Sequence, residues 1–487
     1  MKFEGKNIGI IGMGSSGLWA AKLAQYHGAK VFATDLNDNP TFVNEFDKIN
    51  VSYEIGRHTD LILKSDIIIK SPGVSRNSDI IQKIEKNNIP IIGEMEFAFQ
   101  LSEIDIVAVT GTNGKTSVVT AIHEILKKKF NVLIGGNIGT PFSQLVLENS
   151  LFNKHNYDYV VLEVSSYQSE DFKNFKPKLA IILNFSEDHI EDHGGYLKYF
   201  NAKLKLFQNM DSDNYAIYHY CNENLFFHFE KMANKTNVVP YSLKHNPESM
   251  YYLNSNNILK TSEDNKVRLW PSKYSSREPD FFCINKGRLK LSGITDIENF
   301  IAVATACSIL GISDEQIKKG IINFKGLEHR YEIFKEIDND KIQLTFINDS
   351  KSTNGHSLQS ALNNCSEVHY GYNNVALILG GRSKKINYSQ YMNFRLNRTY
   401  LRVIAYGEAA QEIKDNLLKE TDRYGRQPRI IDTFEKFDDA VQRAIDIAND
   451  FKYGAVLLSP ACSSFDQFKS FEERGNQFKK IVERHYS

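Results

Sequence analysis

A short loop with the residue types of a phosphate-binding turn carries the clearest chemistry in this sequence. This phosphate loop follows an apolar run at Val107–Val109, leads at once into a helical pattern, and consists of Gly111, Thr112, Asn113, Gly114, Lys115 and Thr116. Glycines let backbone N–H groups converge on phosphate oxygens, and the start of a helix adds positive potential. Lys115 suits the terminal phosphates and the Thr116 hydroxyl suits Mg²⁺. Nucleotide binding is predicted, in a kinase, a GTPase or a ligase; a strand–helix turn without a ligand is the alternative.

Further polar residues lie at or after the ends of the next two apolar strand patterns, Tyr159–Val164 and Leu179–Asn184. Because the carboxyl ends of parallel strands meet at one edge of a sheet, Glu163 is predicted to be a Mg²⁺ ligand there. His189 follows the second strand and is a candidate for a metal or phosphate role. The alternatives are a solvated strand-end charge for Glu163 and a structural or surface histidine for His189. Lys203 lies in a helical pattern, and composition does not distinguish it from a solvated lysine.

A second glycine-rich turn lies near the start of the chain. The segment Gly12–Gly17 has the pattern G-x-G-x-x-G after a strand at Asn7–Ile11, and Asp35 stands eighteen residues beyond its last glycine. Alone, this pattern predicts a dinucleotide-binding turn and therefore an NAD-dependent oxidoreductase. That alternative leaves the phosphate loop and the segment Asp349–Asn354 without a role.

The elements that must position these residues are those of an α/β protein. Short apolar strands alternate with helical patterns along 487 residues, which predicts several domains with parallel sheets. Three are predicted: a Rossmann-like domain over 1–97, a central phosphate-loop ATPase domain with a parallel sheet over 98–326, and a C-terminal Rossmann-like domain over 327–487. A polar stretch over about residues 241–285 is predicted to be an elaborated loop or a region of small strands.

Composition excludes several classes of function. Lys plus Arg and Asp plus Glu both number 59, and this balance argues against a general nucleic-acid or membrane-surface binder. No apolar run is long enough for a membrane span, and the first residues lack the features of a signal peptide. The five cysteines are scattered. A protein of the reducing cytoplasm is therefore expected.

Taken in order, the motifs resemble those of the Mur ligase family over almost the whole chain. Besides the phosphate loop, the resemblance rests on Gly135–Gly139, Leu162–Ser166, Asn184–His189, Ala202–Lys203, Gly326–Arg330, Asn348–Asn354 and Gly380–Lys384. The run Leu458–Phe468 looks like that of the D-glutamate-adding members. In this family, the Rossmann-like first domain binds the UDP part of the substrate, which accounts for the second glycine-rich turn without NAD.

The resemblance implies an ATP-dependent ligase of peptidoglycan precursor synthesis. ATP would phosphorylate the carboxylate of UDP-N-acetylmuramoyl-L-alanine, and the amine of D-glutamate would attack the resulting acyl phosphate. Two Mg²⁺ ions would assist, and Lys203 matches the family lysine that is carbamylated. A monomer without nucleic-acid or membrane partners is expected. A sister ligase that uses another amino acid stays open as an alternative, as does the NAD-dependent oxidoreductase.

The resemblance also assigns residues. The catalytic set would be Lys115, Glu163, His189, Lys203 and Lys351. Besides the phosphate loop, ATP would be bound by Asn299, Arg330 and Asp349. The metal ligands would be Thr116, Glu163, His189 and Lys203. The UDP substrate would be bound by Gly14, Ser15, Ser16, Asp35, Ser71 and Asn137. D-Glutamate would be bound by Thr353, Lys384, Ser464 and the backbone of Phe471.

Two positions depart from the family pattern. Asp296 stands where an asparagine would contact adenine, in a segment that is expected to precede a helix. An ionised aspartate accepts hydrogen bonds but donates none, so the adenine contact is expected to differ. Leu36 and Asn37 replace a Thr-Arg pair that can support the uracil, so the contacts of the pyrimidine are expected to differ as well.

Overall fold

The fold is described from a computed structural model of the chain. It describes residues 3–152, 157–185, 194–243, 249–254, 257–260, 283–285, 289, 294–339, 342–367, 374–383, 385–392, 400–419 and 429–487. The chain separates into two compact units, a first unit of Met1–Arg288 with Glu298–Asn323 and a second unit of Leu289–Ile297 with Phe324–Ser487. Within the described residues, no helix is long and apolar enough to cross a membrane.

The first sheet of the first unit is parallel and has the strand order β3-β2-β1-β4-β5. Its strands are β1 (Asn7–Ile11), β2 (Lys30–Asp35), β3 (Ser52–Ile55), β4 (Ile67–Lys70) and β5 (Ile91–Gly93). Its helices are α1 (Ser15–Tyr26), α2 (Val43–Lys48), α3 (Asp79–Lys86) and α4 (Glu94–Phe99). The strand order reverses between β1 and β4, which opens a crevice at their carboxyl ends.

The second sheet of the first unit is also parallel, with the order β11-β10-β9-β6-β8-β7. Its strands are β6 (Asp105–Thr110), β7 (Val132–Gly136), β8 (Tyr159–Glu163), β9 (Leu179–Ile182), β10 (Tyr215–His219) and β11 (Asn237–Tyr241). Since β6 lies between β8 and β9, the phosphate loop, Glu163 and Asn184 all follow adjacent strands.

Helices and one small sheet complete this part of the chain. The helices are α5 (Lys115–Leu126), α6 (Phe142–Phe152), α7 (Ser166–Ser169), α8 (Tyr196–Leu204), α9 (Glu223–Met232), α10 (Ile294–Ile309) and α11 (Asp314–Asn323). The small sheet is antiparallel and is formed by β12 (Tyr251–Asn254), β13 (Asn257–Lys260) and β14 (Cys283–Asn285). The small strands predicted for the polar stretch are therefore confirmed where that stretch is described.

The sheet of the second unit has the order β15-β16-β20-β17-β18-β19. Its strands are β15 (Glu332–Asp338), β16 (Gln343–Asn348), β17 (Asn374–Gly380), β18 (Tyr400–Tyr406), β19 (Arg429–Phe434) and β20 (Tyr453–Ala461). Its helices are α12 (Gly355–Glu367), α13 (Ala410–Leu418), α14 (Phe437–Phe451) and α15 (Phe471–His485). The pairing is parallel except at the edge strand β15, which runs antiparallel to β16.

The α/β class with parallel sheets, predicted from the alternation of strands and helices, is confirmed. The strands of the three larger sheets fall within residues 1–97, 98–326 and 327–487, respectively. Helix α4 continues two residues past the first of these limits. The domain limits themselves stay a prediction.

Candidate active site

The phosphate loop connects the buried strand β6 to the first turn of α5. At Gly111 and Gly114, φ angles of 146° and 84° lie in the region that favours glycine. A Cβ atom on Gly114 would lie only 2.6 Å from Oδ1 of Asn299 in α10. Both glycines are therefore required by the backbone, and the loop has the conformation and the helix terminus that a phosphate needs.

Two lysines converge on the carbonyl oxygen of Gly111. Lys115 Nζ donates to Gly111 O at 2.9 Å and to Thr112 O at 3.0 Å. Lys203 Nζ donates to the same Gly111 oxygen at 3.1 Å and lies 4.7 Å from the ring centre of Tyr199. Lys203 is 2% exposed, so its interpretation as a solvated helix lysine is wrong. The helix α8 instead brings its ammonium group to the phosphate loop.

Glu163, at the end of β8, joins the phosphate loop to the turn after β7. Its Oε2 accepts a hydrogen bond of 2.7 Å from Thr116 Oγ1, and its Oε1 accepts one of 3.0 Å from Asn137 Nδ2. The residue is 3% exposed, so the alternative of a solvated strand-end charge is wrong. A carboxylate beside a hydroxyl presents the hard oxygen ligands that Mg²⁺ prefers.

The remaining predicted metal ligand, His189, lies outside the described residues. Within the described part, no group of three or more His, Cys, Asp or Glu side chains could hold a metal. Mg²⁺ commonly keeps several water ligands and takes one or two carboxylates. Thr116 and Glu163 therefore fit such an ion by the chemistry of their oxygen atoms.

Asn184 organises the phosphate loop from the neighbouring strand β9. Its Oδ1 accepts hydrogen bonds from the backbone N–H of Thr112 at 3.0 Å and of Asn113 at 2.8 Å. Its Nδ2 donates to Asn113 O at 3.0 Å. Sequence reasoning placed Asn184 in a family motif but assigned it no site role. The adjacency of β9 to β6 was needed to see this role.

A cavity of about 700 Å³ lies in the first unit, and we call it the substrate cavity. It includes all six residues that were predicted to bind the UDP substrate: Gly14, Ser15, Ser16, Asp35, Ser71 and Asn137. The first five follow β1, β2 and β4, and Asn137 follows β7, so the cavity is lined from both large sheets of this unit. Asn137 also contacts Glu163, which links this cavity to the phosphate loop.

Leu36 and Asn37, which depart from the family pattern, come directly after β2. At this point the carboxylate of Asp35 forms part of the cavity wall. Asp35 Oδ2 accepts a hydrogen bond of 2.7 Å from the Met13 N–H, and Oδ1 accepts one of 2.9 Å from the Asn37 N–H. His58 also lines the cavity, and sequence reasoning missed it because no motif surrounds it. Burial lowers the pKa of His58.

The wall formed by the segment after β4 is anchored by a buried ion pair. Lys70 Nζ lies 2.9 Å from Asp171 Oδ2, and both side chains are 1% exposed. Lys70 also donates to Val74 O at 3.0 Å, and Arg76 pairs with the other oxygen of Asp171. The segment that contains Ser71 is thereby held against the chain that follows α7.

In the second unit, Asp349 follows β16 and is buried. Its Oδ1 accepts a hydrogen bond of 3.0 Å from the Tyr331 N–H, and its Oδ2 accepts one of 2.9 Å from Ser459 Oγ. Burial raises the pKa of Asp349 to about 7, against the opposing effects of these hydrogen bonds and of the Arg330 charge. The structure thus places Arg330 within electrostatic reach of Asp349.

Of the residues predicted for the amino acid, Thr353 follows β16, Ser464 follows β20 and Phe471 begins α15. Lys351 Nζ lies 4.1 Å from the ring centre of Phe471, and Ser350 Oγ donates to Phe471 O at 2.8 Å. Ser464 is buried and Thr353 is half-buried. Lys384 lies outside the described residues.

The prediction for the local structure around Asp296 and Asn299 was wrong. Both lie inside α10, in its first two turns, whereas the motif was expected to precede the helix. In this position the Asn299 side chain packs against Gly114 of the phosphate loop. The helix therefore reaches the loop through the residue that was predicted to bind ATP.

Known proteins match this chain in sequence and in fold. The sequence profile of the Mur ligase middle domain matches residues 109–307, and that of the Mur ligase MurD-like N-terminal domain matches residues 6–93. The crystal structure of the UDP-N-acetylmuramate–alanine ligase from Thermotoga maritima has a TM-score of 0.57 at 18% identity and covers 99% of this chain and 100% of that one. That likeness shows a shared fold.

Sequence relatives extend over nearly the whole chain. The UDP-N-acetylmuramoylalanine–D-glutamate ligase of Bacteroides thetaiotaomicron is 32% identical over 481 residues, which are 98% of this chain and 99% of that protein. The ligase of the same name from Elusimicrobium minutum is 34% identical over 492 residues, with 99% and 98% covered. By these full-length matches, the chain belongs to the Mur ligase family.

Proposed function

We propose that this protein is an ATP-dependent ligase that joins D-glutamate to UDP-N-acetylmuramoyl-L-alanine in peptidoglycan precursor synthesis. The observation that supports it most is the position of Glu163. One carboxylate accepts hydrogen bonds from Thr116 of the phosphate loop and from Asn137 of the substrate cavity. A UDP substrate in that cavity would have its far end beside the terminal phosphate of ATP.

The chemistry requires an activated carboxylate, because a free carboxylate is a poor electrophile. A carboxylate oxygen of the UDP substrate attacks the γ-phosphorus of ATP, and ADP leaves. The amine of D-glutamate then attacks the acyl carbon, the carbon–oxygen bond to phosphate breaks, and the amine loses a proton. The products are the amide, ADP and inorganic phosphate. The protein contributes mainly orientation and compensation of charge.

We assign the phosphate end of this reaction to the loop and its neighbours. The backbone N–H groups of the phosphate loop bind phosphate oxygens, and Lys115 Nζ turns from the Gly111 and Thr112 carbonyls to the phosphates. Asn299 supports the loop from α10. Mg²⁺ bound there would neutralise charge on the transferred phosphoryl group. Its proposed ligands are Thr116, Glu163, His189 and Lys203.

Lys203 is the least ordinary member of this set. A cation is a poor neighbour for Mg²⁺, whereas a carbamate on the lysine nitrogen is an anionic oxygen ligand. The burial of Lys203 and its contact with Gly111 place its nitrogen at the phosphate loop and support carbamylation as part of the proposal. The proposal also includes two Mg²⁺ ions, as in other phosphoryl-transfer sites.

We assign the domains and the remaining residues accordingly. Residues 1–97 bind the UDP moiety, 98–326 bind ATP, and 327–487 bind the amino acid. Arg330 and Asp349 act toward ATP, and Lys351 acts at the reacting groups. Thr353, Lys384, Ser464 and the backbone of Phe471 hold the carboxylates of D-glutamate, for which a cationic Lys384 is suited.

Phosphate release from ATP tests the function directly. The purified protein is incubated with Mg²⁺, ATP and UDP-N-acetylmuramoyl-L-alanine, and single amino acids are added from a panel. Release that depends on D-glutamate is expected. Release with a different amino acid would indicate a sister ligase. Nicotinamide absorbance changes without ATP turnover would instead favour the oxidoreductase.

A further inference from the structure

One arginine of the second unit is completely buried. Arg474 lies in the first turn of α15 and is 0% exposed. Its Nε donates to Ser350 Oγ at 3.0 Å and its Nη1 to Tyr406 Oη at 3.0 Å. Its Nη2 donates to Ser350 O at 2.8 Å and to Cys462 O at 3.1 Å. The guanidinium group is therefore fixed by three separate segments of the chain.

All these acceptors are neutral. Within the described part of the chain, Arg474 forms no ion pair with a carboxylate. Four hydrogen bonds engage all three of its nitrogen atoms, but hydroxyl and carbonyl groups do not cancel its charge. A buried cation without a counter-ion is costly, and it projects a positive potential into its low-dielectric surroundings. An anionic ligand nearby would be stabilised by that potential.

The segments that bind Arg474 are those that carry the proposed D-glutamate site. Ser350 precedes Lys351, and its hydroxyl also donates to Phe471 O at 2.8 Å. Cys462 stands two residues before Ser464. A Cβ atom on Gly381, in the turn that leads to Lys384, would lie 3.1 Å from Arg474 Nη1. Arg474 therefore holds the carboxyl ends of β16 and β20 together and packs against the end of β17.

We propose that Arg474 is the positioning residue of the amino-acid site and that its uncompensated charge sets the preference of that site for an acidic amino acid. The inference rests on the proposed function, because it assumes that the second unit receives D-glutamate. Arg474 is too deeply buried to touch the substrate. It acts through the segments that it holds and through its electrostatic potential.

Two substitutions separate the charge from the hydrogen bonds. Arg474→Lys keeps the charge and Arg474→Gln removes it, and both lose the planar fork of donors. The KM values for D-glutamate, ATP and UDP-N-acetylmuramoyl-L-alanine are measured for the full chain, with thermal unfolding as a check of folding. Arg443→Gln is the matched control, since Arg443 lies on α14 in a half-exposed pair with Asp432.

We expect Arg474→Gln to raise the KM for D-glutamate by about tenfold or more, the factor that corresponds to 1.4 kcal/mol. The KM values for ATP and the UDP substrate should change less than about twofold, a change of no more than 0.4 kcal/mol. Arg474→Lys should raise the KM for D-glutamate clearly less than the glutamine variant does. Equal KM values for D-glutamate in the two variants, or an equal rise for ATP, would overturn the proposal.

A second pair of variants tests the charge if both arginine variants fail to fold. Ser350→Asp places a carboxylate beside the guanidinium and cancels its charge, while Ser350→Asn has a similar shape and no charge. The aspartate variant should have the higher KM for D-glutamate, and equal KM values would overturn the proposal. Failure of the wild-type protein to use D-glutamate at all would refute the proposed function instead.

Discussion

Replacement of Glu163 by glutamine would remove one negative charge from the site while conserving its shape. The carboxylate accepts hydrogen bonds from Thr116 at 2.7 Å and from Asn137 at 3.0 Å. The glutamine oxygen can still accept from Asn137, and its NH₂ group can donate to the Thr116 hydroxyl oxygen. We therefore expect the free energy of unfolding to change by less than about 1 kcal/mol.

The effect on catalysis should be much larger than the effect on stability. Loss of one preorganised electrostatic group typically lowers kcat by about 10²–10³. We expect a decrease of that order for Glu163→Gln, together with a higher Mg²⁺ concentration for half-maximal activity. Glu163→Ala is the comparison, because it also leaves the Thr116 hydroxyl and the Asn137 amide without their acceptor. Each donor left in this way should cost roughly 1–3 kcal/mol of stability.

Phosphate release measured against Mg²⁺ concentration, with thermal unfolding on the same samples, tests both expectations. A Glu163→Gln protein with wild-type kcat and an unchanged Mg²⁺ requirement would refute the metal and charge role of Glu163. A glutamine variant as unstable as the alanine variant would refute the reasoning about its hydrogen bonds.

Four further outcomes can be measured. Lys115→Ala should abolish ATP-dependent product formation with an unchanged unfolding temperature, whereas Lys127→Ala, beyond the other end of the same helix, should be active. His58→Ala should raise the KM for the UDP substrate by about three- to tenfold through one lost hydrogen bond and leave the KM for ATP unchanged. Lys384→Ala should raise the KM for D-glutamate much more than that for ATP. Asp349→Asn should become more stable relative to wild type as pH rises from about 4 to 7 and level off above, because in that range the carboxyl is ionised in the unfolded chain but still protonated in the folded protein, where burial raises its pKa to about 7. A pH-independent difference in unfolding temperature would contradict this.

Many strands of the three larger sheets could be predicted, because buried parallel strands are continuous apolar runs in the sequence. The predicted strand Asn7–Ile11 has the bounds of β1, and the predicted strand Tyr159–Val164 differs from β8 by one residue. The edge strand β15 was not predicted. Its sequence, EIFKEID, mixes charged and apolar residues, and it becomes a strand through antiparallel pairing with β16.

The phosphate loop was predictable for a similar local reason. Its glycines, lysine and threonine are contiguous, and the strand before it and the helix after it can be recognised from hydrophobic pattern. The six residues proposed to bind UDP could be predicted as a set only through the family resemblance, since they lie at or after the ends of four different strands. That one cavity includes all of them depends on the strand order, which no local pattern contains.

The local sequence therefore determined the strands, the phosphate loop and the order of motifs, because each depends on residues that are adjacent in the chain. Folding in three dimensions decided which charged groups are buried and what they contact. Lys203 has the sequence context of a solvated helix lysine, yet it is only 2% exposed and its Nζ donates a hydrogen bond to Gly111 O. Arg474 stands in a charged helix start, yet it is held by Ser350, Tyr406 and Cys462. Burial of a charge requires acceptors from distant segments, and those acceptors come together only when the sheets form.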